Sequence, residues 1–173
     1  MEKRLFLLII LGCLSCSTAN HKSAPEPAPP FALREPNGIR PSEPHSLRFL
    51  MWPVAKHRVT QEFRPEENSH HRTHDGIDIS APRGTRIYAP AKGTVIYAGQ
   101  KFHGYGKMIM IEHSPIFTTL YGHCQKLLVK SGEAVRRGTL IALVGKTGRA
   151  TAPHLHFEVR VKREPVDPLI YLE

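Results

Sequence analysis

The chain has 173 residues and a formal charge of +9, from 24 Lys and Arg against 15 Asp and Glu. That length gives room for one domain with a modest core. The basic excess suits an anionic polymer or lipid surface. Nucleic acid is not the expected partner, because Lys and Arg are scattered along the chain with no nucleic-acid motif beside them.

At the N-terminus Lys3 and Arg4 precede an apolar stretch from Leu5 to Leu11, followed by Gly12, Cys13, Leu14, Ser15 and Cys16. This is a signal-peptide pattern over residues 1–16, too short for a spanning helix. A small residue directly before a cysteine resembles a bacterial lipoprotein cleavage site, and two frames are available. Ile10-Leu11-Gly12-Cys13 puts an aliphatic residue at its usual place, whereas Cys13-Leu14-Ser15-Cys16 gives the longer apolar region and is preferred. Secretion without a lipid is the alternative. Residues 17–47 are rich in Pro, Ser, Ala and Glu and poor in aliphatics, so they bury too little surface to order themselves. Read as a Pro-rich flexible linker at roughly 3.1 Å per residue, they span on the order of 90 Å.

From residue 48 to 173 short β-rich runs alternate with turn residues, and no long amphipathic helical pattern appears. Strands are expected at Arg86–Ala89, Gly93–Ala98, Lys107–Glu112, Phe117–Tyr121 and Leu140–Val144, separated by segments holding Pro90, Gly99, Gly104, Gly106, Gly132 and Gly148. The expected fold is all-β, with compact antiparallel sheets and short loops.

Two histidine clusters stand out against this background. In the run from His154 to Val161, Leu155, Phe157, Val159 and Val161 alternate with His154, His156, Glu158 and Arg160, which is strand periodicity. His154 and His156 therefore leave one face of a strand with Cα atoms roughly 7 Å apart. On a helix, residues two apart diverge. Upstream, His74-Asp75-Gly76-Ile77-Asp78 has a spacing of four, but Gly76 and the following Ala81-Pro82-Arg83-Gly84 favour a bent strand or loop over a helix. A catalytic zinc takes three protein ligands and leaves a corner to water. Two histidines and one aspartate fit that count.

These motifs, taken in order, resemble the lysostaphin/LytM-type zinc metalloendopeptidases, which cut peptide cross-links in bacterial cell-wall peptidoglycan. The likeness begins near Trp52-Pro53-Val54 and passes through Phe63-Arg64, His74-Asp75-Gly76-Ile77-Asp78, Gly93-Thr94-Val95-Ile96-Tyr97 and Tyr121-Gly122-His123. It closes with Gly145-Lys146-Thr147-Gly148, Pro153-His154-Leu155-His156-Phe157-Glu158 and Pro165-Val166-Asp167-Pro168. The resemblance implies that His74, Asp78 and His156 hold one Zn2+ ion on the floor of a groove, and that His123 and His154 form the catalytic pair. Three positions depart from the family pattern. Arg64 stands where Gly is usual, Cys124 where Leu is common, and Ala152 where many relatives have Gly; the last is tolerated if its φ is negative.

The chain lacks His-Glu-x-x-His, so no glutamate base of that class is present, and the imidazoles of His123 and His154 must move the protons instead. Ligand imidazoles need acceptors that fix their tautomers, and Glu158 on the same strand face is a candidate. Of the 11 histidines, His21, His45, His57 and His103 are expected to be ordinary, His113 structural, and His70 and His71 lesser competitors for the metal. Tyr121 either lines the groove or is a strand tyrosine, and Cys124 offers a weaker nucleophile reading. The expected partners are peptidoglycan and, through a lipid anchor, a membrane, with the domain in the periplasmic cell envelope. The tether favours direct D-alanine to diamino acid cross-links in a thin wall over glycine bridges. The alternative function is a non-catalytic lipoprotein of the same family that binds peptidoglycan and activates amidases.

Overall fold

The structure, a computed structural model, describes residues 48–65 and 73–173. The expected signal peptide over 1–16 and linker over 17–47 lie outside the described residues, as do His21, His45, His70 and His71. Ten strands follow in order: β1 Val59–Gln61, β2 Ile77–Ser80, β3 Arg86–Tyr88, β4 Gly93–Gly99, β5 Lys107–Ser114, β6 Phe117–Leu127, β7 Ala134–Val135, β8 Leu140–Val144, β9 His154–Val161 and β10 Glu164–Val166. Among the described residues a single 3-10 turn covers Pro168–Ile170 and no α-helix occurs. All strand pairings are antiparallel, so the all-β expectation holds.

The main path of the sheet runs β1-β2-β9-β6-β5-β4-β7, with β10 on β9, β8 on β6 and β3 on β8. β6 is the spine. One edge pairs with β5; along the other, Phe117–Gly122 pair with β9 and Cys124–Leu127 with β8. The change of partner falls at His123, whose φ of 61° is left-handed. The strand therefore runs on past the expected end at Tyr121, because a kink at one residue re-aims it instead of ending it.

The alternation read from the sequence sorts the side chains. Ile77 and Ile79 of β2, Ile109 and Ile111 of β5, Tyr121 of β6, and Leu155, Phe157 and Val159 of β9 form one fully buried cluster. Their β-branched and aromatic side chains suit a half-buried pleated surface. The opposite face of β2 and β9 carries Asp78, His156 and Glu158, which are buried polar groups and need partners. The β9–β10 hairpin turns through Lys162 and Arg163, both at positive φ, a turn whose twist matches the flanking strands.

Candidate metal centre

Register builds the site. Asp78 on β2 lies directly opposite His156 on β9, which on its other side lies opposite Gly122 on β6. His154, paired with Ser80, stands two residues along the same face of β9. His74 enters from outside the strands, fixed by a two-way backbone bridge with Arg64 in which both N–H···O distances are 3.0 Å. Gly76 permits this entry, since a Cβ there would lie 2.2 Å from the Phe157 carbonyl oxygen and 2.9 Å from Glu158 Cγ.

Three donor atoms converge. Asp78 Oδ1 lies 3.1 Å from His74 Nε2 and 2.8 Å from His156 Nδ1, and the two nitrogens are 3.2 Å apart. Each imidazole has its tautomer set from behind. His74 Nδ1 donates to the Glu62 carbonyl at 2.8 Å, and His156 Nε2 donates to Glu158 Oε1 at 3.1 Å. A carbonyl and a carboxylate only accept, so His74 Nδ1 and His156 Nε2 keep their protons, and a metal bound among the inward atoms would meet their lone pairs. Three donor atoms this close repel unless a shared proton or a metal cation lies among them. Their separations are close to the roughly 3.4 Å edges of a tetrahedral zinc site with ligands near 2.0–2.1 Å, so the donor set fits that ion. His74, Asp78 and His156 are the group among the described residues that could hold a metal.

The remaining two histidines flank this cluster. His154 Nε2 is 3.6 Å from Asp78 Oδ1, and its Nδ1 donates to the Ala152 carbonyl at 2.9 Å. His123 Nδ1 donates to the Thr147 carbonyl at 2.7 Å, and the His123 and His154 rings meet edge to face at 4.6 Å. Burial pushes the His123 imidazole down to about 4, so it stays neutral at ordinary pH. Asp78 is desolvated, yet its bonds to His156 and His74 hold its carboxyl well below the usual range. All five expected residues line one open cleft of about 390 Å³.

The other expectations separate cleanly. Tyr121 does not line the groove: it is fully buried, with its hydroxyl 2.7 Å from Thr119 Oγ1. Cys124 is buried too, and desolvation pushes its thiol up to about 12, so the nucleophile reading fails. His113 is structural, bonded to the Lys92 carbonyl and to Thr119 Oγ1. His57 stacks on Trp52 with ring centroids 3.7 Å apart, and His103 is exposed. Ala152 avoids positive φ, as its substitution for Gly requires. Sequence reasoning missed Tyr105, which lines the cleft and donates to Glu158 Oε1 at 2.6 Å; its place between Gly104 and Gly106, in a loop before β5, was the available signal.

Residues 72–168 match the model of peptidase family M23, a span that holds all five histidine and aspartate positions of the cleft. The chain belongs to peptidase family M23. Against the uncharacterized lipoprotein YgeR of Escherichia coli strain K12, this M23 chain is 36% identical over 165 residues, covering 94% of this chain and 63% of that one. The murein hydrolase activator NlpD of Salmonella dublin is 36% identical over 150 residues, 87% of this chain and 38% of NlpD. The peptidoglycan DD-endopeptidase ShyB of Vibrio cholerae is 43% identical over 118 residues, 68% of this chain and 25% of ShyB. The M23 chain thus spans less than two thirds of the length of each of these relatives. A crystal structure of a zinc containing peptidase from Vibrio cholerae superposes with a TM-score of 0.63 at 40% identity, over 69% of this chain and 39% of that one.

Proposed function

We propose that this M23 protein is a zinc-dependent endopeptidase that hydrolyses peptide cross-links of bacterial peptidoglycan, working in the cell envelope from a lipid anchor. The observation that carries this reading is the convergence of three metal donors and two further imidazoles, each with its outward nitrogen already engaged, in a cleft open to solvent. His74, Asp78 and His156 are the ligands. Zinc bound there supplies Lewis acidity, lowering the pKa of a coordinated water toward neutrality and polarising a carbonyl.

The chain's own residues supply the proton traffic. His123 and His154 keep their Nδ1 protons on backbone carbonyls, which leaves each Nε2 as a basic lone pair. A neutral imidazole in that position takes the water proton and returns it to the leaving amine. Similarity to a DD-endopeptidase and to a zinc containing peptidase supports hydrolysis. Similarity to a murein hydrolase activator supports a second reading, in which the fold binds peptidoglycan and stimulates an amidase without cutting. Retention of all five polar residues favours the first.

Incubating the purified full-length chain with sacculi, with and without a chelator, separates the two. Endopeptidase activity gives new amine termini that the chelator abolishes. Sacculi left intact by the zinc-loaded chain alone, yet solubilised faster by an added amidase, overturn the first reading for the second.

A further inference from the structure

Glu158 lies on β9 two residues beyond His156 and is 0% exposed. A buried carboxylate is costly unless every lone pair is used, and here both oxygens are engaged. Oε1 accepts from His156 Nε2 at 3.1 Å and from the Tyr105 hydroxyl at 2.6 Å; Oε2 accepts from Arg160 Nε at 2.6 Å. Arg160 also reaches Asp75 Oδ2 at 3.5 Å, in the turn between His74 and Asp78.

We propose that Tyr105 and Glu158 form a positioning unit that dictates which nitrogen His156 offers to the metal and how tightly the ion is held. The inference rests on the zinc reading of the site and goes beyond its ligand list. An imidazole can ligate through either nitrogen. At His156 the forward atom is Nδ1, and it is available only while Nε2 keeps its proton. A carboxylate behind Nε2 enforces that state, because it can accept but never donate. It also makes the ring a stronger ligand. Tyr105 keeps the carboxylate aimed. Its ring sits 5.6 Å from that of His156. The main-chain carbonyl of Tyr105 accepts from His123 N–H at 2.7 Å. One residue thus braces a proposed ligand with its side chain and a proposed proton carrier with its backbone.

The test is zinc affinity of the full-length chain, measured by competition with a chromophoric chelator and with no substrate present. Glu158→Gln keeps the shape and removes the charge, and zinc binding should weaken about 10–100-fold. Tyr105→Phe deletes one hydroxyl and should weaken it about 2–10-fold. In 15N spectra of the zinc-loaded wild type, His156 should carry its proton on Nε2, and this signature should blur in Glu158→Gln; a merely space-filling glutamate would not move it. A folded Glu158→Gln variant with wild-type zinc affinity overturns the proposal. If that variant does not fold, Tyr105→Phe decides, and unchanged affinity there overturns it equally. A wild-type chain that takes up no zinc sinks the metal reading and this inference together, whereas one that binds zinc but leaves sacculi whole sinks only the proposed activity.

Discussion

At the scale of single residues, the proposed division of labour rests on which donor atoms meet. His74, Asp78 and His156 bring theirs within 3.2 Å of one another, while His154 Nε2 stands 3.6 Å from Asp78 Oδ1. Replacing His156 by Ala is therefore expected to abolish zinc binding, measured by metal analysis after dialysis. His154→Ala should retain the metal yet lower sacculus cleavage at least about 100-fold. Equal metal loss in both variants would overturn the assignment. The gathering of the five polar residues was legible because they fall in short ordered motifs and because residues two apart on a strand share a face. Their partners were not. The Glu62, Thr147 and Ala152 carbonyls that set three tautomers are main-chain groups, which every residue carries alike. The choice between the two readings of Tyr121 was not legible, because the phenol's direction depends on which face of β6 is core, and Thr119 supplies it a buried partner.

At the scale of elements, His123 marks the joint where β6 leaves β9 for β8, and the left-handed φ there costs roughly 1–2 kcal/mol for a residue with a Cβ. His123→Gly should thus be more stable than His123→Ala by about 1 kcal/mol, read as a higher urea midpoint, although both lose turnover. An equal midpoint would mean the kink carries no strain. Gly76 sets a stricter limit, because a methyl there meets backbone at 2.2 Å. Gly76→Ala is expected to destabilise the domain by roughly 1–3 kcal/mol and to weaken zinc retention, since the loop carrying His74 must lift from β9. β-rich runs between turn residues revealed β3, β4, β5, β6 and β8, and period-two alternation revealed β9. The kink in β6 escaped notice because a change of pairing partner is fixed by contacts with β8 and β9, distant in sequence, and leaves no local pattern.

At the scale of the whole molecule, acid sensitivity has a source away from the cleft. Burial lowers the His113 pKa from its ordinary 6.5, so the folded protein prefers the neutral ring more than the unfolded chain does. That contribution to stability is fully present above about 6.5 and is lost as pH falls through the folded value. In the metal-free protein, lowering the pH from 7.5 to 5.5 should reduce the urea midpoint of the wild type more than that of His113→Gln; parallel losses would remove His113 as the cause. The +9 charge points outward to a different assay. Association with sacculi should weaken between low and physiological salt as the surface field is screened, and salt-independent binding would show that the charge plays no part.

His74 and His156 are 82 residues apart in the chain, and of the two only His156 sits in the strand order. An ion shared between them would act as a removable clasp on the segment that carries His74, which among the described residues is also tied by the Arg64 bridge and by the Glu62 carbonyl. Stripping the clasp would loosen that segment before any core strand gives way. Loss of a bound cation would then be felt twice, once as an empty site and once as an opening beside His74 that proteases reach first.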